Sequence, residues 1–373
     1  MAHENVNSLL AGVELTTTFV VGAALALLVG SAPTFAAEPA SKAGVTLVQT
    51  NEPDVFAYSK PAPGFDPVSA SDRELELAGF PPRPDALKAP EAHKHWKKMV
   101  TAHQVRVEKP ELQRSTVENR PASNVKDLAA APPAGSNSIN SYSGNWSGFA
   151  LYAPYGTFAH NYAFTFSEFI VPAVQQAFGV CNGTWDYSSI WTGFDGWGSG
   201  DVLQAGIEAD AYCSNGIFGQ SKSTFYSAWY EWYPAGSVRI GNVAVNPGDL
   251  LDVEVWYTTS APNGHAYIIN YDTQQSVSLA FNIPGGTVYA GNSVEWIVEA
   301  PTVSGSLATL SNYIATAANY NYAYSGGNYF YPGSGPAGTT SYDITMKPGT
   351  VPLSYCLLTG TYALWCQDEG TAY

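Results

Sequence analysis

Positive charge almost disappears from the second half of the chain. Beyond Lys126 only Lys222, Arg239 and Lys347 follow, against 16 Asp and Glu from Glu168 onward. A surface so poor in Lys and Arg excludes nucleic acid as a partner. Histidine is equally scarce there: His160 and His265 alone would have to supply the base of a Ser-His-Asp triad, and neither has a suitable neighbourhood. The four cysteines, Cys181, Cys213, Cys356 and Cys366, form no C-x-x-C. With no ligand-like histidine spacing, a zinc site is the poorer reading, and His93-Lys94-His95 lacks a third ligand. Disulfides are the default in an exported chain. Three pairings are possible, and the local pairs Cys181–Cys213 and Cys356–Cys366 are expected. H-E-x-x-H, G-x-S-x-G, Asp-Thr-Gly, Asp-Ser-Gly and a P-loop are all missing, which removes most hydrolase chemistries recognisable from a motif. No metal or other cofactor is implied.

A long apolar run occurs once, from Thr18 to Gly30, followed by small residues to Ala37. Residues 1–36 therefore read as a signal peptide, although Glu4 and Glu14 precede the run and no Lys or Arg does. The expected location is extracellular, with no membrane attachment after cleavage. Residues 37–137 balance 13 basic against 13 acidic side chains and are rich in proline. They read as a propeptide and linker with one helix, roughly Pro90 to His103, whose apolar face is Trp96, Met99 and Val100 and whose polar face carries Lys94, Lys97 and Lys98. Those lysines are expected to face an acidic domain and to let go in acid, when carboxylates protonate and His93, His95 and His103 gain charge. Ala129 to Ser138 has linker composition.

Residues 138–373 read as a single all-β domain, expected to be monomeric. Short alternating stretches (Tyr162–Ser167, Leu251–Tyr257) and a hairpin joining Ala266–Asn270 to Ser276–Phe281 argue a two-sheet sandwich or jelly roll. The Tyr/Gly-rich stretch 318–340 reads as a long loop. Within the strands, acidic and aromatic residues share faces: Trp191 and Asp195; Gln204 and Glu208; Trp229, Glu231 and Tyr233; Glu295 and Glu299. At roughly 3.3 Å per residue, Glu295 and Glu299 stand about 13 Å apart, too far to act as a direct pair. A catalytic carboxylate here needs a partner from another strand.

Five motifs in order supply one. Asn145-Trp146-Ser147-Gly148, Trp191-Thr192-Gly193-Phe194-Asp195-Gly196, Leu203-Gln204-Ala205-Gly206, Ala228-Trp229-Tyr230-Glu231-Trp232-Tyr233-Pro234 and Glu295-Trp296-Ile297-Val298-Glu299 resemble the blocks of the glutamic peptidases, or eqolisins. The resemblance spans about residues 143–300. It implies a sandwich of two antiparallel sheets, a prosegment acting as an intramolecular inhibitor, and a catalytic pair at Gln204 and Glu299. Glu299 would take a proton from water and return it to the leaving nitrogen, while Gln204, which does not titrate, would donate to the oxyanion. Trp146, Trp191, Trp229 and Tyr233 would line the cleft for a polypeptide substrate, and Asp195, Glu208 and Glu231 would tune the base. The chain departs from the fungal pattern at Glu208, where an aspartate is usual, and at the insert Trp197-Gly198-Ser199-Gly200. The rival function is a carbohydrate-binding or glycoside-hydrolase-like sandwich; Gln204 speaks against the hydrolase, which needs a second carboxylate.

Overall fold

The computed structural model describes residues 44–127, 138–177 and 180–370. The apolar run at 18–30 and the linker at 129–137 lie outside the described residues. Among the described residues no helix is long and apolar enough to cross a membrane.

The domain is a sandwich of two largely antiparallel layers. The front layer runs, neighbour to neighbour, Thr340–Met346, Trp146–Tyr152, Ser293–Glu299, Ser189–Phe194, Val202–Gly216, Gly219–Tyr233 and Val238–Ile240. The back layer runs Ala315–Ser325, Ala163–Ile170, Leu250–Tyr257, Gly264–Asn270 and Gln275–Phe281. Strands Ser354–Leu358 and Leu364–Asp368 join the layers along one side.

Period-two alternation decides which side chains meet in the middle. Trp296, Val298, Ile190, Leu203, Ala205 and Ile207 of the front layer share one core with Leu251, Val253, Val255, Ile268 and Leu279 of the back layer. Polar links cross the same interface: Thr165 and Thr192 hydroxyls lie 2.7 Å apart, and Trp296 Nε1 donates to the Phe166 carbonyl at 3.0 Å. The expected disulfides are both formed, Cys181–Cys213 and Cys356–Cys366.

One sequence expectation is corrected. Residues 318–340 are not a loop: Ala315–Ser325 is a back-layer strand, and Asn328–Phe330 folds back on it. Its Tyr320 and Tyr322 are buried on the outer face, so period-two alternation was present but hidden among Tyr, Asn and Ala. The carboxylates Asp252 and Glu254 also point outward from the back layer, yet are fully covered.

What covers them is the segment before the linker. Helix α1 (Asp72–Leu77) starts from a capping box between Ser71 and Glu74, a signal already present in the sequence. Helix α2 (Pro90–Thr101) begins with proline in its first turn and buries Trp96, Met99 and Val100 as expected. Together they press Leu75, Phe80, Trp96 and Met99 onto Phe164, Phe166, Trp256, Tyr267, Tyr320 and Tyr322. The lysine expectation holds at one point: Lys98 reaches Glu168 at 2.5 Å, whereas Lys94 pairs with Glu91 of its own helix. The segment also adds an edge strand to each layer, Val55–Tyr58 beside Gln275–Phe281 and Leu112–Arg114 beside Val238–Ile240.

Candidate active site

The outer face of the front layer gathers the motif residues into rows. Strand pairing puts Glu295, Gly193, Gln204 and Glu231 in one row, and Ile297, Trp191, Gly206 and Trp229 in the next. Glu299 follows one row on, opposite Trp146 on one side and Ser189 on the other. The glycine in the middle row has a steric reason. A Cβ on Gly206 would sit 2.1 Å from the Ile190 carbonyl oxygen and 2.6 Å from Trp191 Cβ, so only glycine lets the neighbouring strand and its indole lie this close.

Glu299 is fully buried and receives three donors. Trp191 Nε1 donates to Oε2 at 2.9 Å, and Asn145 Nδ2 and the Arg120 backbone N–H donate to Oε1 at 3.2 and 3.0 Å. Burial nevertheless raises its pKa well above the ordinary glutamate value; the Glu231 charge adds to this, and the three hydrogen bonds oppose it. Gln204 Nε2 donates to the Asn119 carbonyl at 2.7 Å. Glu231, raised to about 8 by burial above all, accepts the Asn119 N–H at 2.9 Å. Gln204 and Glu299 therefore hold the two ends of one peptide unit, the carbonyl of Asn119 and the amide of Arg120.

Residues 117–123 lie across this face, with Val117–Glu118 as a short strand. Val117–Glu118 pairs with Thr302–Val303. The Arg120 carbonyl accepts from Trp146 Nε1 at 3.0 Å and Asn145 Nδ2 at 3.2 Å. Ala122 N–H donates to Gly196 O at 3.1 Å, and Ser123 N–H to Asn145 Oδ1 at 2.8 Å. A cavity of about 460 Å³ lies apart from this face, between the N-terminal segment and the back layer, bordered by Glu76, Arg83, Trp256 and Tyr324.

The remaining predicted residues divide. Trp146, Trp191 and Trp229 form one buried aromatic floor with Ile297, and Tyr233 packs at its margin. Trp146 meets Trp191 edge-on at 4.9 Å between ring centres. Asp195, with φ of 70°, faces the loop before the Glu299 strand and accepts from the N–H groups of Gly291 and Asn292 at 2.8 Å. It fixes where that strand begins rather than meeting the strand in the cleft; burial lifts its pKa to about 6. Glu208 accepts from two of the three guanidinium nitrogens of Arg239, Nε and Nη2, at a distance of 2.8 Å for the Nη2–Oε2 contact; burial raises its pKa against that pull. In the sequence Asn145 stands only as the first residue of the motif Asn145-Trp146-Ser147-Gly148. Its side chain is buried and bonded to Glu299, Arg120 and Ser123, so it is a site residue, and the Asn preceding Trp146 was the available signal.

The profile of the Peptidase A4 family matches residues 144–367. The chain belongs to this family, the glutamic peptidases. Among its relatives, Aspergillopepsin-2 of Aspergillus niger is 31% identical over 175 residues, 42% of this chain and 56% of that protein. Scytalidopepsin B of Scytalidium lignicola is 31% identical over 109 residues, 29% of this chain and 38% of that one. The chain thus spans about half, or less, of the length of these curated relatives. A solved structure of scytalido-glutamic peptidase with a peptide-based transition state analogue aligns at 22% identity with a TM-score of 0.44, covering 60% of this chain and 98% of that one.

Proposed function

We propose that the protein is a secreted acid endopeptidase in which Glu299 is general base and acid and Gln204 is the oxyanion donor. The observation that carries this reading is the single peptide unit spanned by the two side chains, Gln204 on its carbonyl and Glu299 on its amide. In the reaction, Glu299 as carboxylate takes a proton from water as the water attacks the carbonyl carbon. The oxygen that becomes negative already faces Gln204 Nε2, a donor whose state does not change with pH. Glu299 then returns the proton to the departing nitrogen. Trp191 and Asn145 orient the carboxylate by donating to its two oxygens.

Residues 44–127 act as prosegment. Their strand in the cleft excludes substrate, and the same coverage strips water from Glu299 and favours its protonated form. Displacement of the strand would therefore open the cleft and restore the base together.

The test is digestion of acid-denatured haemoglobin in the presence of pepstatin. Cleavage is expected in acid, with Gln204→Ala reducing kcat by about 10²–10³ and Glu299→Gln by about 10²–10⁴. Full activity in either variant means the residue assignment is wrong.

A further inference from the structure

We propose that the protein's first substrate is itself, and that the bond it cuts is Asn119–Arg120. This rests on the catalytic reading of Gln204 and Glu299 given above. An inhibitory segment needs only to block a cleft, and many geometries would do so. This one is threaded as a substrate. The backbone enters as a strand paired with Thr302–Val303, presents the Asn119 N–H to Glu231, the Asn119 carbonyl to Gln204 and the Arg120 N–H to Glu299. It leaves with the Arg120 carbonyl on Trp146 and Asn145 and the Ala122 N–H on Gly196. Backbone groups on both sides of one bond are held, and the atoms that must change in hydrolysis, the carbonyl oxygen and the amide nitrogen, each meet a group able to accommodate that change.

The step balances with water as the only co-reactant. Water adds to the carbonyl carbon of Asn119 as Glu299 takes one of its protons, and the former carbonyl oxygen bears the charge against Gln204. The carbon–nitrogen bond then breaks as Glu299 delivers the proton to the nitrogen of Arg120. A carboxylate ends one fragment at Asn119, and a new amino terminus begins the other at Arg120. In the closed arrangement Glu299 Oε1 is shared by the Arg120 and Asn145 amides while Oε2 holds the Trp191 indole. Glu299 is fully buried beneath this segment, so the segment must loosen before Glu299 can take up water. Latency and cleavage are then successive states of one contact.

The experiment acidifies the purified full chain and follows it by intact mass and by N-terminal sequencing, with haemoglobin digestion measured on the same samples. The expected result is a new terminus at Arg120, a complementary fragment ending at Asn119, and a first-order rate constant unchanged across a wide dilution series. Glu299→Gln, whose neutral amide is close in shape, should slow this cut by about 10²–10⁴. A chain that digests haemoglobin but is cut at another bond, or stays whole, overturns the proposal and leaves the peptidase reading standing. A rate that rises with protein concentration overturns the self-cleavage within one molecule. Cleavage at Asn119–Arg120 in Glu299→Gln at the wild-type rate assigns the cut to another enzyme. Failure to cut either haemoglobin or itself removes the peptidase reading as well.

Discussion

Trp191 donates its indole N–H to Oε2 of Glu299 across 2.9 Å, inside a site from which both side chains exclude solvent. The bond stabilises the anionic form of a carboxylate that burial otherwise pushes toward protonation. Replacing Trp191 by Phe keeps a ring over Gly206 but removes the donor. A hydrogen bond to a charged group contributes about 1.5–3 kcal/mol, so kcat/KM is expected to fall by roughly one to two orders of magnitude. The sign of the pH effect follows from which form loses support. Without the indole the carboxylate becomes harder to ionise, and the acidic limb of the pH–rate profile moves to higher pH. A loss of activity with an unmoved limb would show that Trp191 serves packing alone.

Docking of the N-terminal segment is governed by apolar contact more than by charge. Trp96 is fully buried, with its Nε1 on the Pro81 carbonyl at 3.0 Å, and it belongs to the cluster that includes Phe166, Tyr267 and Tyr322. Large-to-small changes of this kind cost about 3–5 kcal/mol. Trp96→Ala is therefore expected to lower the denaturation midpoint and to expose the aromatic back face, read as increased dye binding at neutral pH. Acid should act on the same interface through His95. Its ring stacks on Tyr320 at 3.7 Å and faces Glu168, with Lys98, Lys94 and Glu91 around it. Burial, ahead of the nearby lysines, lowers its pKa, so docking is favoured above the ordinary histidine range and weakened as pH falls through the lowered value. His95→Phe keeps the stack and cannot charge; release of the segment should then need a lower pH than in the wild type. Equal release profiles would remove His95 from the switch.

The candidate active-site face was legible because five ordered motifs resemble the blocks of the glutamic peptidases, and alternation then puts their aromatic and acidic residues on one side of the strands. Strand pairing needed only to bring Gln204 and Glu299 to nearby rows. The disulfides were expected on sequence locality alone, with separations of 32 and 10 residues, and the structure puts each pair on adjacent strands or close to them. Residues 112–123 were not legible. Leu112–Arg114 and Val117–Glu118 are strands of three and two residues, too short for any period, and their structure comes from partners more than a hundred residues away. The burial of Asp252 and Glu254 was hidden in the same way. Alternation correctly put them on the outer face, but nothing local says that a helix from another part of the chain lies over that face. The pairing of Arg239 with Glu208 was not legible because an isolated basic residue on a three-residue strand gives no sign of the carboxylate two strands away.

The buried carboxylates set the pH at which the folded chain is most stable. Burial, the leading cause in each case, raises Asp195, Asp343 and Asp368 to about 6, Asp201 to about 7 and Glu231 to about 8. Glu254, Glu295 and Asp252 are raised as well. A carboxyl whose folded pKa exceeds its unfolded one binds its proton more tightly when folded. Its contribution is complete below about pH 4 and is lost as pH climbs through the folded value. His265 runs the other way: buried and lowered to about 3, it favours folding above its ordinary value and loses that contribution as pH falls through about 3. His265 and His95 together are set against these eight carboxyls, so stability is expected to peak near pH 4–5 and to decline toward pH 8. A tenfold difference in proton affinity between the folded and unfolded chain is worth about 1.4 kcal/mol, and a loss of even a few kcal/mol lowers Tm by several degrees or more in a chain of this size. Thermal melts of Glu299→Gln, which should not digest itself, from pH 4 to pH 8 provide the check. A Tm that rises steadily toward pH 8 would mean that these carboxyls are ionised in the folded chain and stabilised by contacts other than those described above.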